Sequence, residues 1–148
     1  MALLAPAEQE KLRESFNEMT APVRLLFFTQ TLDCEPCVQT RRILDELPAL
    51  SDKIAIEEVN FILDKDQAAQ YAVDRVPAIA VLGATGSGEA NQDSRIRFLG
   101  TPSGYEFISL VQAIRLVGGA GSLLTDENRR RIAAVDTPVT LQVFTTPT

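Results

Sequence analysis

Residues 27–44 read FFTQTLDCEPCVQTRRIL, and both cysteines of the chain, Cys34 and Cys37, lie inside this stretch. A pair with this spacing has three readings: a zinc clasp, a structural coincidence or a reversible disulfide. Its surroundings bear on the choice. PVRLLFFT at 22–29 is short, continuously apolar at its centre and rich in Leu and Phe, the pattern of a buried central strand. After the cysteines, Val38, Ile43, Leu44 and Leu47 form an imperfect apolar stripe. That stripe predicts a helix over about 35–48, with Asp33 placed to help cap its start. The pair therefore stands where a strand turns into a helix.

One helical turn brings two Cα atoms to the roughly 5.5 Å that a disulfide needs. A cysteine at a helix start meets unpaired amides and the positive end of the helix, which favour thiolate over thiol. Pro36 supplies no backbone donor and fixes φ where helical geometry is wanted. Cys34 thus reads as the nucleophile that attacks a substrate disulfide, and Cys37 as the thiol that resolves the mixed disulfide. Asp33 and Glu35 oppose thiolate formation through their charge, and Arg41 and Arg42 lie a turn or more along the helix. Structural zinc takes four ligands, whereas this chain has two thiols and no histidine. A zinc site would need carboxylates or a second chain. The absence of histidine also excludes Ser-His-Asp and Cys-His catalysis within the chain.

The whole chain sets bounds on function. Its 148 residues are 45% apolar, enough for a domain with a sizeable core. A formal net charge of −6 argues against nucleic acid as a partner. The basic run Arg129-Arg130-Arg131 sits beside Asp126 and Glu127 in a helical pattern and reads as a solvated face. No run of apolar residues is long enough for a membrane span, and MALLAPAEQEKL lacks the basic region and long apolar core of a signal peptide. The expected location is the cytoplasm, with no membrane partner. There a cysteine pair is more often catalytic or metal-binding than structural.

The remaining elements follow from periodicity. Leu12, Phe16 and Met19 mark a first helix over 6–19, with Pro6 in its opening turn. KIAIEEVNF at 53–61 reads as a strand, 64–72 as a short helix with Ala68, Tyr71 and Ala72 inward, and PAIAVLG at 77–83 as a strand. GATGSGEANQDS at 83–94 is a turn-rich hairpin link, and no Lys-Ser or Lys-Thr follows its glycines as a phosphate cradle would require. RIRFLG at 95–100 is a short edge strand, and Phe107, Leu110, Val111 and Ile114 mark a helix over about 103–116. Thr125 opens a last helix with Ile132 and Val135 inward. Helical links between the first three strands imply parallel pairing, and the last two strands form a hairpin. The expected architecture is α/β, a four-stranded mixed sheet with helices on both faces and an extra N-terminal helix.

Two further signals stand apart. In DRVPAIAV at 74–81, Pro77 reads either as an ordinary strand-entry proline or as a cis-proline. A cis-proline would let Val76 offer its N–H and C=O to an extended substrate. The tail repeats the first strand: PVTLQVFT at 138–145 matches PVRLLFFT at 22–29 in Pro, Val, Leu, Phe and Thr at five of eight positions. Duplication of a whole unit explains such a repeat, with chance similarity of two buried strands as the alternative. The expected division is a domain over 1–120, then a linker helix and the first strand of a truncated second unit over 121–148.

The Cys-Glu-Pro-Cys stretch together with DRVPAIAVLG resembles the thioredoxin/glutaredoxin superfamily. The resemblance runs over nearly all of 6–148, through RFLGTPSGYEF and VTLQVFTTPT, and is nearest to glutaredoxin-like protein disulfide oxidoreductases built of two units. It implies a thioredoxin fold, with Cys34 as attacking thiol, Cys37 as resolving thiol, Pro77 as a cis-proline facing them and Val76 as the substrate-contacting residue. It implies exchange with protein disulfides or dithiols, a thioredoxin-reductase-like electron donor, and no metal or organic cofactor. Some relatives use glutathione instead, so a glutathione-linked glutaredoxin is an alternative, as is a non-catalytic unit that orients a second half. The chain departs from thioredoxin at two places. Counting six residues back from Cys34, where thioredoxin has a buried aspartate, gives Phe28. Where thioredoxin has a lysine on the second strand, this chain has Glu58. Glu57 and Glu58 are the candidates for relaying protons to Cys37.

Overall fold

The computed structural model describes residues 2–86 and 88–146. Ser87, within the turn-rich link, and Pro147 and Thr148, which close the TTPT tail, lie outside the described residues, as does Met1. The elements run α1 (Pro6–Phe16), β1 (Val23–Thr29), α2 (Glu35–Asp45), β2 (Ile54–Asn60), α3 (Lys65–Gln70), β3 (Ala78–Gly83), β4 (Gln92–Leu99), α4 (Tyr105–Val117) and α5 (Asp126–Ala133). The sheet has strand order β2-β1-β3-β4.

β1 and β3 are the two inner strands of this sheet because both are largely apolar: β3 is buried throughout and β1 everywhere but at Arg24. Leu25, Leu26, Phe27 and Phe28 are all buried, two on each face. Full burial of side chains this size stabilises by roughly 1.5–3 kcal/mol each. Val23, Leu25 and Phe27 join Ile79 and Val81 of β3, Leu44 of α2, and Leu110 and Ile114 of α4 in the larger core cluster. That cluster also holds both cysteines. On the other face, Leu26 and Phe28 pack with Ala80, Leu82, Ala68 and Tyr71 beneath α3.

β1 and β2 are parallel and joined through α2, as expected. The link through α3 behaves differently, because β3 runs antiparallel to β1. The seven residues of β2 span about 23 Å, and the six residues of α3 only about 9 Å. The helix does not run back along the sheet, and β3 enters from the end at which β2 left. The consequence is functional: the start of β3 lies beside the end of β1, where the cysteines are. β4 returns antiparallel to β3 and ends at the same edge, with Leu99 opposite Ala78.

Local details differ from the sequence reading in physically simple ways. β4 starts at Gln92 rather than 95, hidden by polar residues. The Ser94 hydroxyl donates to the Val81 carbonyl at 2.6 Å, and the register shifts between Ala80 and Leu82. The buried stripe of α2 passes through Cys37, Thr40 and Leu44, leaving Val38 54% exposed. α5 forms behind Thr125, whose hydroxyl accepts from the Asn128 amide. However, Ile132 and Val135 are exposed rather than inward, because no element among the described residues packs on that helix. The repeat at 138–145 is irregular and joins no sheet, and Phe144 is 90% exposed.

Candidate functional site

Cys34 and Cys37 are joined by a disulfide, with their Cα atoms 5.3 Å apart. Cys34 is the N-cap residue of α2, Glu35 and Pro36 occupy its first helical positions, and the Cys37 amide donates to the Cys34 carbonyl at 3.2 Å. Asp33 does not cap the helix. It lies one residue outside, with φ of 55° and its side chain exposed, and the N-cap makes no side-chain hydrogen bond. The cap position carries sulfur instead of an oxygen acceptor; Pro36 has no amide and the Cys37 amide is taken by the Cys34 carbonyl, which leaves the Glu35 amide without a backbone partner among the described residues. The two sulfur residues are unequal: Cys34 is 8% exposed and Cys37 3%.

The second wall of the site comes from the start of β3. The Val76–Pro77 peptide bond is cis. Pro77 is buried, and its carbonyl accepts from the Gly100 amide at 2.8 Å. Val76 is half-buried and packs on the cluster that contains both cysteines. Among the described residues its N–H and C=O make no backbone hydrogen bond. Just before it, the Arg75 guanidinium hydrogen-bonds to Asp74 and holds that carboxyl below the usual carboxylate range.

The two glutamates of β2 part company. Ile54, Ile56 and Glu58 alternate onto the face that holds the cysteines, and Glu58 is ion-paired with Arg41 of α2. The Arg41 guanidinium also lies 5.8 Å from the centre of the Phe27 ring. Glu57 points to the other face, bonded to Arg24 at 2.6 Å. The same alternation corrects the six-residue count. Phe28 packs with Tyr71 on the far face, and Phe27 is the β1 residue in the cluster with the cysteines. A phenylalanine stands at either position, so no carboxylate of β1 lies under this dithiol.

Sequence reasoning missed Thr40, which is fully buried directly behind the dithiol turn. Its hydroxyl lies 2.8 Å from the Pro36 carbonyl and 3.0 Å from the Thr101 hydroxyl. The signal was present as spacing: Cys37, Thr40, Leu44 and Leu47 recur at helical intervals, a stripe that takes in one polar residue.

A four-stranded mixed sheet, a disulfide at the start of the helix after the central strand, and a cis-proline opening the strand beside it are together decisive. This is a thioredoxin fold. It carries an extra N-terminal helix, and it has the redox pair of a protein dithiol–disulfide oxidoreductase. No family model matches the chain. The N-terminal domain of alkylhydroperoxide reductase AhpF from Enterococcus faecalis superposes with a TM-score of 0.78 at 28% identity, covering 88% of this chain and 60% of that one. A protein disulfide oxidoreductase from Aeropyrum pernix gives 0.70 at 26% identity, covering 88% and 54%. The chain therefore spans less than two thirds of either protein. A "Probable Thioredoxin" of Methanothermobacter thermautotrophicus is 29% identical over 79 residues, which is 53% of this chain and 80% of that protein. Among the described residues, no helix of the thioredoxin fold is long and apolar enough to cross a membrane.

Proposed function

We propose that the chain exchanges disulfides with other proteins and that Cys34 makes the first attack. The reduced Cys34 thiolate forms a bond to one sulfur of a substrate disulfide, and the other substrate sulfur leaves as a thiolate and takes up a proton. Cys37, as thiolate, then attacks the Cys34 sulfur. The Cys34–Cys37 disulfide forms and the second substrate thiol is released. Two electrons and two protons have passed to the substrate. The observation that supports this reading is the disulfide at the start of α2, with Cys34 at the cap and slightly the more exposed of two buried residues, 8% against 3%, and with Val76 packed on the same cluster. In this reading an extended substrate segment pairs with Val76 while Pro77 packs against the dithiol. Of the two glutamates, Glu58 alone is kept as proton relay to Cys37, because it shares the dithiol's face.

The electron donor in this proposal is a thioredoxin-reductase-like enzyme, and the setting is the cytoplasm. The likeness to part of an alkylhydroperoxide reductase supports a reductase partner. We place the chain as the first unit of a two-unit oxidoreductase, with 121–148 as linker and opening strand of the second. The repeat at 138–145 and the exposed apolar side chains along it support this.

Insulin reduction by the purified chain, driven by a thioredoxin-reductase system, tests the activity. Cys37→Ala is expected to accumulate a covalent adduct with insulin, seen by mass spectrometry, while Cys34→Ala forms none and does not turn over. Full turnover by Cys34→Ala overturns the assignment. Turnover with glutathione alone moves the chain to the glutaredoxin reading.

A further inference from the structure

The site has two arms that nothing in the dithiol chemistry itself joins: the turn at Pro36 between the cysteines, and the Val76-Pro77 segment that opens β3. One dipeptide after β4 touches both. The Gly100 amide donates to the Pro77 carbonyl at 2.8 Å. The next residue, Thr101, places its hydroxyl 3.2 Å from the Pro36 carbonyl and 3.0 Å from the hydroxyl of Thr40. Thr40 itself reaches the Pro36 carbonyl at 2.8 Å. Three oxygens thus share two hydroxyl protons in a closed triangle, and the carbonyl in that triangle belongs to Pro36, one of the two residues between the cysteines. Gly100 has φ of 100°, a backbone state open to glycine and strained for other residues. The geometry is built: Thr40 is fully buried, and a buried hydroxyl must have a partner.

We infer that Thr101 is a positioning residue that, with Gly100 and Thr40, clamps the dithiol turn to the cis-proline arm. The inference rests on the proposed disulfide exchange. A protein substrate must meet the Cys34 sulfur and the Val76 backbone at once, so the spacing between the two arms enters the rate of attack on it. A small disulfide needs only Cys34. The clamp therefore selects for substrates that extend along Val76, and it acts through hydroxyl oxygens rather than through a titrating group.

The test is Thr101→Val, with Thr101→Ser as the conservative variant, both in the full chain. Amide hydrogen exchange reads the clamp without any turnover. In Thr101→Val the Gly100 and Cys37 amides are expected to exchange about tenfold faster, and in Thr101→Ser at the wild-type rate. Turnover reads the consequence: kcat/KM for insulin is expected to fall about tenfold more in Thr101→Val than kcat/KM for a small aromatic disulfide, with Ser restoring the ratio. Wild-type exchange at both amides in Thr101→Val overturns the inference, as does a serine variant that behaves like valine. An equal fall for both substrates also overturns it, marking Thr101 as merely structural. Failure of the wild-type chain to reduce insulin refutes the proposed function instead, and the exchange data still decide the clamp.

Discussion

Reducing the Cys34–Cys37 bond is expected to weaken this fold only slightly. The bond joins residues three apart in sequence, which closes a ring of four residues. The loop-closure entropy taken from the unfolded chain by so small a ring amounts to about 2 kcal/mol at 25 °C, against about 4.7 kcal/mol for a ring of 100 residues. Nothing in the folded state adds to that figure. Both cysteines sit in a cluster of buried apolar side chains, where a free thiol packs as a small hydrophobic group. Domains are commonly stable by about 5–15 kcal/mol, so the reduced chain should remain folded. For a chain of this size about 2 kcal/mol corresponds to a drop in Tm of about 4–8 °C. The assay is denaturant unfolding of the oxidised chain and of the chain in excess dithiol reductant. Far-UV circular dichroism is the natural probe, since there is no tryptophan. A loss above about 4 kcal/mol, or a reduced chain that does not fold, would show that the bond is a structural staple. A reduced form more stable than the oxidised one would show that ring closure is not the governing effect. Either result refutes the reasoning: the first because a centre that cycles needs a fold that holds in both states, the second because loop closure would then not set the sign of the difference.

Two other expectations follow from the packing and the charges. Phe27→Ala and Phe28→Ala should each destabilise by about 3–5 kcal/mol, but only Phe27→Ala should shift the dithiol equilibrium against a thiol buffer, because Phe28 lies across the sheet from the sulfurs. Equal shifts in the two variants would contradict the assignment of faces. Arg97 grips Asp93 through two hydrogen bonds of 2.8 and 2.6 Å and holds its carboxyl below the usual range. A depressed carboxyl pKa stabilises the fold above the unfolded value of about 3.9 and loses that contribution as pH falls through the folded value. Asp93→Asn should therefore lower stability by about 0.5–1 kcal/mol at neutral pH, with the difference vanishing in strong acid. Urea unfolding of both chains at the two pH values checks it, and a difference that persists in acid would show that the ion pair is not its source.

Much of this protein is decided by local pattern. The apolar run at 22–29 makes the central strand in any fold that buries it, and the cysteine spacing puts two sulfurs within bonding distance in one helical turn. Both follow from residues close in sequence, so the sequence alone determines them. What it leaves open is set by contacts between distant residues. The direction of β3 is set by its antiparallel pairing with β1, and that direction brings Val76 and Pro77 to the end of β1 that leads into the cysteines. The faces of Phe27, Phe28, Glu57 and Glu58 depend on strand phase, which a one-residue miscount inverts. α5 carries an apolar stripe in its sequence and buries none of it, because a periodic pattern states which face would be covered and only a neighbouring element covers it. The Thr40–Thr101 contact joins residues 61 apart, and no local pattern reports which two hydroxyls folding will bring to one carbonyl.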